Sequence, residues 1–227
     1  MLRNTSCISG GDGAADDIDN SKKGKFLILK PPQLPSEDDR LFEGDDDWWN
    51  NACVNFLPDD WHIYATGYKD AADVLMAHVE KHQGRQDTLV YPVVFLYRQY
   101  LELKIKNLIR QGRDLLDIHE PFPKTHRIDE LWKVCSDLLR EIFPGDSEEE
   151  QAQIARLIEE FCQVDPTSTA FRYPEDLDGN PSLPPVVRHI NLRNVKEVID
   201  KISVILVGAD TLIAEYLSIK ADMYSGL

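Results

Sequence analysis

Residues 87–111 read DTLVYPVVFLYRQYLELKIKNLIRQ and decide the fold. When these residues are placed on a helix of 3.6 residues per turn, the first half of the stretch is apolar on almost every side. A helix of that kind is buried, so the stretch predicts the central helix of a helical bundle. Pro92 falls within the first two turns, where a missing backbone N–H costs least, and Gly112 is expected to end the helix.

The same helical period continues on both sides of this stretch, from about Pro58 onward. Apolar residues at steps of three and four predict a helix before it, ending near His82, and two helices after it. The sequence Phe143-Pro144-Gly145 separates those two. The expected N-caps are Asp59 or Asp60 for the first helix, Thr125 for the third, and Asp146 or Ser147 for the fourth.

A fifth helix has the clearest pattern. Asn194 is its expected N-cap, with Glu197 three residues on, and one apolar stripe then runs to Leu217. A long loop with five prolines, residues 165–190, precedes it, and a loop of that length within a domain is often functional. Because no strand-rich region competes, we predict an all-α fold, an up-and-down bundle of four to five helices over residues 58–227.

Charge is distributed unevenly along the chain. The 227 residues carry 40 acidic and 25 basic side chains, a formal net charge of −15, which disfavours a protein that coats nucleic acid. Residues 1–60 alone hold 13 acidic and 6 basic groups and few large apolar residues. We therefore expect residues 1–57 to form an acidic, irregular and largely disordered arm. Residues 98–113 reverse the sign, with five basic groups and one acid.

Several functional classes find no support. The chain opens without an apolar leader and shows no run of about 18 apolar residues, so we expect a cytoplasmic protein with no membrane contact. It contains neither a phosphate-binding P-loop, nor a dinucleotide-binding glycine motif, nor a serine-hydrolase elbow. His78 and His82 could share a metal on one helical face, but no third ligand accompanies them. We expect neither a cofactor nor a metal.

Arg98 and Glu102 stand four apart on the central helix, on a face that turns apolar. A charged pair on such a face indicates partial burial, where each group needs a partner. Two interpretations stay open. Either the pair is a structural ion pair, or Arg98 presents its guanidinium to a phosphate in a pocket while Glu102 orients it.

Two histidines follow the basic stretch. Five residues separate Arg113 from His119, and His126 lies at the expected start of the third helix. An imidazole can take a proton from a ribose 2′-hydroxyl, and an arginine can hold the phosphate on which charge then develops. The alternative for His126 is that it caps or packs against the turn.

Three segments together resemble a known superfamily. They are Tyr97–Lys106 (YRQYLELKIK), Phe122–Trp132 (FPKTHRIDELW) and Phe171–Pro174 (FRYP). In order and in helical context they are similar to segments of the HEPN superfamily of small helical bundles, and the second segment is the most specific.

The resemblance implies a HEPN-like bundle over about residues 60–220, frequent dimerisation, and a role in bacterial toxin–antitoxin or antiviral systems. Many members are metal-independent ribonucleases with an arginine and a histidine separated by four to six residues late in the bundle. This chain departs from that pattern, since no histidine follows Arg172 at the spacing. Only Arg113 and His119 have it, and they lie earlier.

Our leading hypothesis is therefore a HEPN-like effector that cuts RNA with arginine and histidine groups from the central helix, the loop after it and the proline-rich loop. The candidate catalytic residues are Arg98, Glu102, Arg113, His119, His126 and Arg172. We expect four of them, Arg98, Glu102, His126 and Arg172, to converge in one polar pocket. The alternative is a non-catalytic HEPN-like subunit that binds a nucleotide or a partner protein. A homodimer formed through an apolar helix face is expected in either case.

Overall fold

A computed structural model describes residues 34–44, 46–54, 61–145 and 148–225. The chain divides into two compact units, Met1–Ala52 and Cys53–Leu227. In the described part of the first unit the backbone forms turns and one short 3-10 helix, Trp48–Asn50, and nearly every side chain is exposed. Most of the acidic arm and the expected caps Asp59, Asp60, Asp146 and Ser147 lie outside the described residues.

The second unit is built from five α-helices. They are α1 (Trp61–His82), α2 (Gln86–Leu115), α3 (Ile128–Ile142), α4 (Glu148–Val164) and α5 (Leu192–Ser225). Across the described residues no strand is formed, and an isolated antiparallel bridge joins Glu175 to Pro181. The predicted all-α bundle of four to five helices is thus confirmed.

The helix predicted to be central is central. α2 packs against α1, α3 and α5, while α4 packs against α3. Leu101, Ile105, Leu108 and Ile109 of α2 are all buried in the core. Since α2 has neighbours on several sides, its nearly continuous apolar surface follows from its position.

The order of helix directions differs from a strict up-and-down pattern. His126, just before α3, lies beside Arg98 and Glu102 in the middle of α2, whereas Ile142, at the end of α3, lies beside Gly112 near the end of α2. α2 and α3 therefore run in the same direction. Residues 116–127 form a connection that first returns along α2, which sequence periodicity does not reveal.

Three predicted helix ends are wrong. Thr125 is not the N-cap of the third helix, because α3 begins at Ile128 with Arg127 as its N-cap, and Oγ1 of Thr125 accepts its hydrogen bond of 3.1 Å from the backbone N–H of Arg127, before the helix begins. Gly112 lies inside α2, where a Cβ would stand 3.2 Å from Cδ1 of Ile142 and 3.7 Å from Leu138. This glycine serves the close approach of α2 and α3 and does not end a helix. Asn194, the predicted N-cap of the fifth helix, lies inside α5. The capping residue is Asn191, because its Oδ1 accepts a hydrogen bond of 3.2 Å from the backbone N–H of Asn194.

α5 is long and apolar enough to cross a membrane by length and composition alone. Core helices of bundles can meet the same criterion, and about a fifth of the apolar window is buried in the bundle. Ile202, Leu206 and Ile213 of α5 lie in the core. Asp210 between them pairs with Lys104 of α2, so the inner face of α5 is fitted to a protein neighbour.

Candidate functional site

Arg98 is the largest fully buried side chain of the bundle, and its guanidinium is bonded on every side. Nη1 donates to Oε2 of Glu102 at 3.0 Å, Nη2 to the backbone oxygen of His126 at 2.7 Å, and Nε to the backbone oxygen of Asp165 at 3.1 Å. A third carbonyl, that of Pro166, lies 3.3 Å from Nη2. Because no donor of Arg98 reaches the surface, the geometry supports the structural ion pair and not a guanidinium offered to phosphate.

Glu102 links this buried arginine to the surface. Its Oε1 accepts hydrogen bonds from Nζ of Lys106 and from Nδ1 of His126, both at 2.8 Å. Burial acts to raise the pKa of Glu102, but the hydrogen bonds and charges of Lys106, His126 and Arg98 outweigh it and lower the pKa below its usual value. Glu102 is therefore a carboxylate in the folded protein, fixed from three directions.

His126 presents its ring to solvent. Its side chain is 74% exposed although Nδ1 is bonded to the buried Glu102. A carboxylate only accepts hydrogen bonds, so the proton of the neutral ring lies on Nδ1, and Nε2 carries the free electron pair. In this arrangement the hydrogen bond from Nδ1 to Glu102 fixes the orientation of the ring, and Nε2 is free to act as a general base.

Asp165 supports the same site from the end of α4. Its Oδ1 accepts hydrogen bonds from the backbone N–H groups of Thr169 and Ala170, at 2.8 and 3.1 Å, and its Oδ2 lies 3.6 Å from Nε of Arg98. Ser168 in this turn has a positive φ of 64°, a conformation that non-glycine residues adopt at a cost. Arg98 and Asp165 together hold the beginning of the proline-rich loop against α2.

Arg172 does not join the other three candidates. Its Nε donates to the backbone oxygen of Ser168 at 2.5 Å, and its guanidinium carbon lies 5.6 Å from the ring centre of Phe95 and 5.4 Å from that of Tyr173. Phe95 and Glu102 lie seven residues apart on one face of α2, about 10 Å along the axis. The predicted pocket thus contains Arg98, Glu102 and His126, while Arg172 is exposed two turns away on the same side of α2.

The spacing of Arg113 and His119 does not bring the two together. Nη1 of Arg113 donates to the backbone oxygens of Glu120 and Pro121, at 3.3 and 3.0 Å, and Nη2 lies 3.3 Å from Oε2 of Glu120. His119 is exposed and is not among these partners. Arg113 holds the returning connection to α2, and the geometry offers no arginine–histidine pair here.

Sequence reasoning missed Lys106 and Asp165. Lys106 follows Glu102 by four residues, so helical spacing alone could have found it. Asp165 lies 67 positions from Arg98, and no local pattern connects the two.

The pair His78 and His82 lies on α1 with ring centres 4.4 Å apart. Among the residues that the structure describes, no group of three or more His, Cys, Asp or Glu side chains is arranged to hold a metal ion. The two histidine rings contact each other, and the described residues place no third metal-ligating side chain beside them.

No protein-family model matches the sequence, and neither a curated protein nor a solved structure is detectably similar to it. The resemblance to the HEPN superfamily accordingly stays a prediction. The hydrogen-bonded series from the buried Arg98 and Glu102 of α2 to the exposed His126 is the feature from which a function can be inferred.

Proposed function

We propose that this chain is a HEPN-like, metal-independent RNA-cleaving effector in which His126 is the proton acceptor. The observation that carries the proposal is the hydrogen bond of 2.8 Å between Oε1 of Glu102 and Nδ1 of His126, with the opposite edge of the ring exposed. Glu102 and Arg98 are positioning residues in this reaction, since neither is at the surface.

In the proposed reaction, Nε2 of His126 takes the proton of a ribose 2′-hydroxyl. The 2′-oxygen then bonds to the adjacent phosphorus as the bond from phosphorus to the 5′-oxygen breaks, and the departing 5′-oxygen takes a proton from water. The hydroxide that remains takes the proton from the imidazolium, which returns His126 to its neutral form. The products are a 2′,3′-cyclic phosphate and a 5′-hydroxyl. Glu102 stabilises the positive imidazolium through the proton on Nδ1, as a carboxylate does in other histidine-based sites.

Binding of an RNA strand needs cations at its phosphates. Arg172 is exposed on the same side of α2, about two turns from the pocket, so it would hold a neighbouring phosphate of the strand, and its stacking on Phe95 and Tyr173 restricts the plane of its guanidinium. Lys106 is mostly buried, and its ammonium group forms an ion pair with Glu102. Its positive charge therefore lies below the exposed ring of His126 and does not reach the surface. In this proposal Arg172, in the proline-rich loop, takes the role of contacting RNA phosphate that was first expected of Arg98.

The biological setting that we propose is a bacterial defence or toxin–antitoxin module in the cytoplasm. The similarity of segments Tyr97–Lys106 and Phe122–Trp132 to the HEPN superfamily supports it. Both segments contribute to the site, because the first contains Arg98 and Glu102 and the second contains His126.

The direct test is to incubate the purified full chain with single-stranded RNA in EDTA and to map the product ends. We expect cleavage with 2′,3′-cyclic phosphate ends and a loss of at least about 100-fold in rate for His126→Ala, the usual scale for a general base. His119→Ala is the matched control, since it removes an exposed histidine seven residues away that has no carboxylate partner among the residues that the structure describes. Equal loss in both variants, or no cleavage by the parent chain, would reject the proposal.

A second function, a non-catalytic subunit that binds a nucleotide or a partner protein, has one observation in its favour. Arg113 and His119, which have the arginine–histidine spacing of the ribonucleases, are not hydrogen-bonded to each other, and each guanidinium nitrogen of Arg98 is hydrogen-bonded inside the bundle. Expression in cells separates the two functions. A ribonuclease should arrest growth in a His126-dependent way, whereas a binding subunit should leave growth unchanged.

A further inference from the structure

A cleft of about 400 Å³ opens on the bundle between α4, α5 and the proline-rich loop, with α2 as its floor. α4 packs mainly against α3, and α5 packs mainly against α2, so a gap remains between α4 and α5 over α2. An apolar cleft with a few polar groups at its edge, and with a volume in this range, is typical of a small-molecule site.

The walls of the cleft are apolar over two turns of three helices. Each helix contributes a pair of apolar residues seven positions apart: Val94 and Leu101 on α2, Leu157 and Val164 on α4, and Val195 and Ile202 on α5. Seven residues of an α-helix span about 10 Å, so the apolar part of the cleft has about that length. Phe171 and Ile190 of the proline-rich loop add further apolar surface. The cleft therefore suits an apolar body of limited length.

Positive charge is concentrated where the proline-rich loop enters α5. Residues 186–196 hold three arginine or lysine residues and one histidine but no acidic residue, in a chain of net charge −15. His189 and Asn194 line the cleft. Each is the neighbour in sequence of an exposed arginine, Arg188 or Arg193, that has no ion-pair partner among the described residues. These two charges are free to pair with an anion.

The acidic group at the cleft does not cancel this charge. Glu160 of α4 lines the cleft, but its Oε2 lies 3.5 Å from Nη1 of Arg156, which lines it too. That ion pair adds no net charge. The cleft thus combines an apolar interior with positive charge at the side of the proline-rich loop.

We propose that this cleft binds an amphiphilic carboxylate, a free acid with one negatively charged head and an unbranched alkyl chain. An extended chain of about eight carbons matches the apolar length of about 10 Å. The alkyl chain lies between the apolar residues of α2, α4 and α5, and the carboxylate lies at the loop side, where Arg188 and Arg193 pair with it. Charge complementarity selects this occupant, because a cationic amphiphile would be repelled and a neutral one would leave both arginines without a partner.

The acyl chain of a membrane lipid has similar chemistry, but the charge of this protein disfavours a bilayer as its source. Anionic bilayers attract clusters of basic residues and repel acidic proteins, and this chain carries a net charge of −15. A free acid approaches the two arginines without bringing a charged surface against the rest of the chain. We therefore assign the cleft to an acid in solution.

This inference is independent of RNA cleavage, since none of the residues that line the cleft belongs to the site at His126. It would hold for an effector and for a binding subunit. Its failure would leave the proposed reaction unaffected, and the reverse is also true.

Isothermal titration calorimetry of the full chain with sodium octanoate at pH 7 tests the proposal. We expect saturable binding at one site. Hexanoate should bind about 15-fold more weakly, because each methylene removed from an apolar site weakens binding about fourfold. Octan-1-ol keeps the alkyl chain without the charge and should bind at least about tenfold more weakly. Equal affinities for octanoate and octan-1-ol would overturn the proposal.

Substitutions locate the two parts of the site. Arg188→Gln/Arg193→Gln changes exposed residues and should weaken octanoate binding about tenfold, with little effect on octan-1-ol. Lys81→Gln/Lys201→Gln is the matched control, since it removes two exposed positive charges elsewhere and should leave octanoate binding unchanged. Val198→Phe fills the cleft and should abolish the binding of both ligands, with the helical circular dichroism retained.

Three results would overturn the proposal. The first is no heat of binding with octanoate at millimolar concentration. The second is octanoate binding that is the same with and without Arg188 and Arg193. The third is co-sedimentation of the parent chain with phosphatidylglycerol vesicles that is lost in Arg188→Gln/Arg193→Gln, which would assign the two arginines to a membrane lipid.

Discussion

Nζ of Lys104 on α2 lies 2.5 Å from Oδ2 of Asp210 on α5, in a contact between two helices that is almost closed to solvent. Oδ1 of Asp210 also accepts a hydrogen bond of 2.8 Å from Asn107. Two buried opposite charges cost desolvation, and their mutual attraction offsets it only while both remain. The pair therefore specifies which residues of α2 and α5 come together.

Removing one partner of this pair should be far more costly than replacing both. We expect Asp210→Ala to lower the free energy of unfolding by about 3–5 kcal/mol, because Lys104 is left buried without a counter-charge. The double variant Lys104→Met/Asp210→Leu should lose much less. Urea unfolding followed by circular dichroism measures both, with Asp222→Ala on the exposed end of α5 as a control that should change little. Equal losses in the single and double variants would contradict this account.

Gly112 gives a second prediction. A β-carbon there would press on Ile142 at 3.2 Å, so Gly112→Val should cost about 1–3 kcal/mol through overpacking between α2 and α3. Gly67 on α1 is the matched control, since a Cβ there meets nothing within 4 Å. Gly67→Ala should therefore stabilise the protein by roughly 0.5–1 kcal/mol through helix propensity. Thermal unfolding of both variants measures the contrast, and a stabilising Gly112→Val would show that the helices are not in close contact.

The central helix and one part of the site follow from local patterns. The apolar surface of residues 87–111 predicts a buried helix, and the four-residue spacing of Arg98 and Glu102 predicts their ion pair. The relative directions of the helices could not be predicted in this way, because they depend on the route that each connecting loop takes. α2 and α3 run in the same direction because the connection between them returns along α2, where Arg113 is hydrogen-bonded to the backbone oxygens of Glu120 and Pro121.

The buried contacts of Arg98 could not be predicted from local sequence either. Arg98 has a long, flexible side chain that can point to a phosphate or into the core, and helical spacing is the same in both cases. Its burial depends on acceptors from His126 and Asp165, 28 and 67 positions away. These contacts exist only after the loops have folded, so the residue's structural role could not be read from α2 alone.

The lowered pKa of Glu102 predicts a pH dependence of stability. The ordinary pKa is 4.5, and the folded value lies below it, so the carboxylate contributes stability that is fully present above pH 4.5 and is lost as the pH falls through the folded pKa. Glu102→Gln should thus lower the free energy of unfolding strongly at pH 7 and progressively less as the pH falls below 4.5. Urea unfolding at a series of pH values across that range measures this difference. Glu149→Gln, an exposed change on α4, should show no such pH dependence.

Arg98→Lys tests whether the buried guanidinium is a connector. A lysine keeps the charge but cannot reach Glu102, the backbone oxygen of His126 and that of Asp165 with one planar fork. We expect a loss of about 3–5 kcal/mol, the scale for an uncompensated buried charge pair. The change should also leave the loop after Asp165 open to proteolysis, since that loop loses its bond to α2.

RNA binding separates this structural role from direct contact with phosphate. Below its melting temperature, Arg98→Lys should bind RNA with nearly the parent affinity and the parent salt dependence, because the parent guanidinium does not reach solvent. Arg172→Lys is the matched comparison, as it alters the exposed arginine that stacks on Phe95 and Tyr173. It should weaken binding with little change in stability. If Arg98→Lys instead weakened RNA binding as much as Arg172→Lys does, Arg98 would contact the RNA directly, and its role as an internal connector would be contradicted.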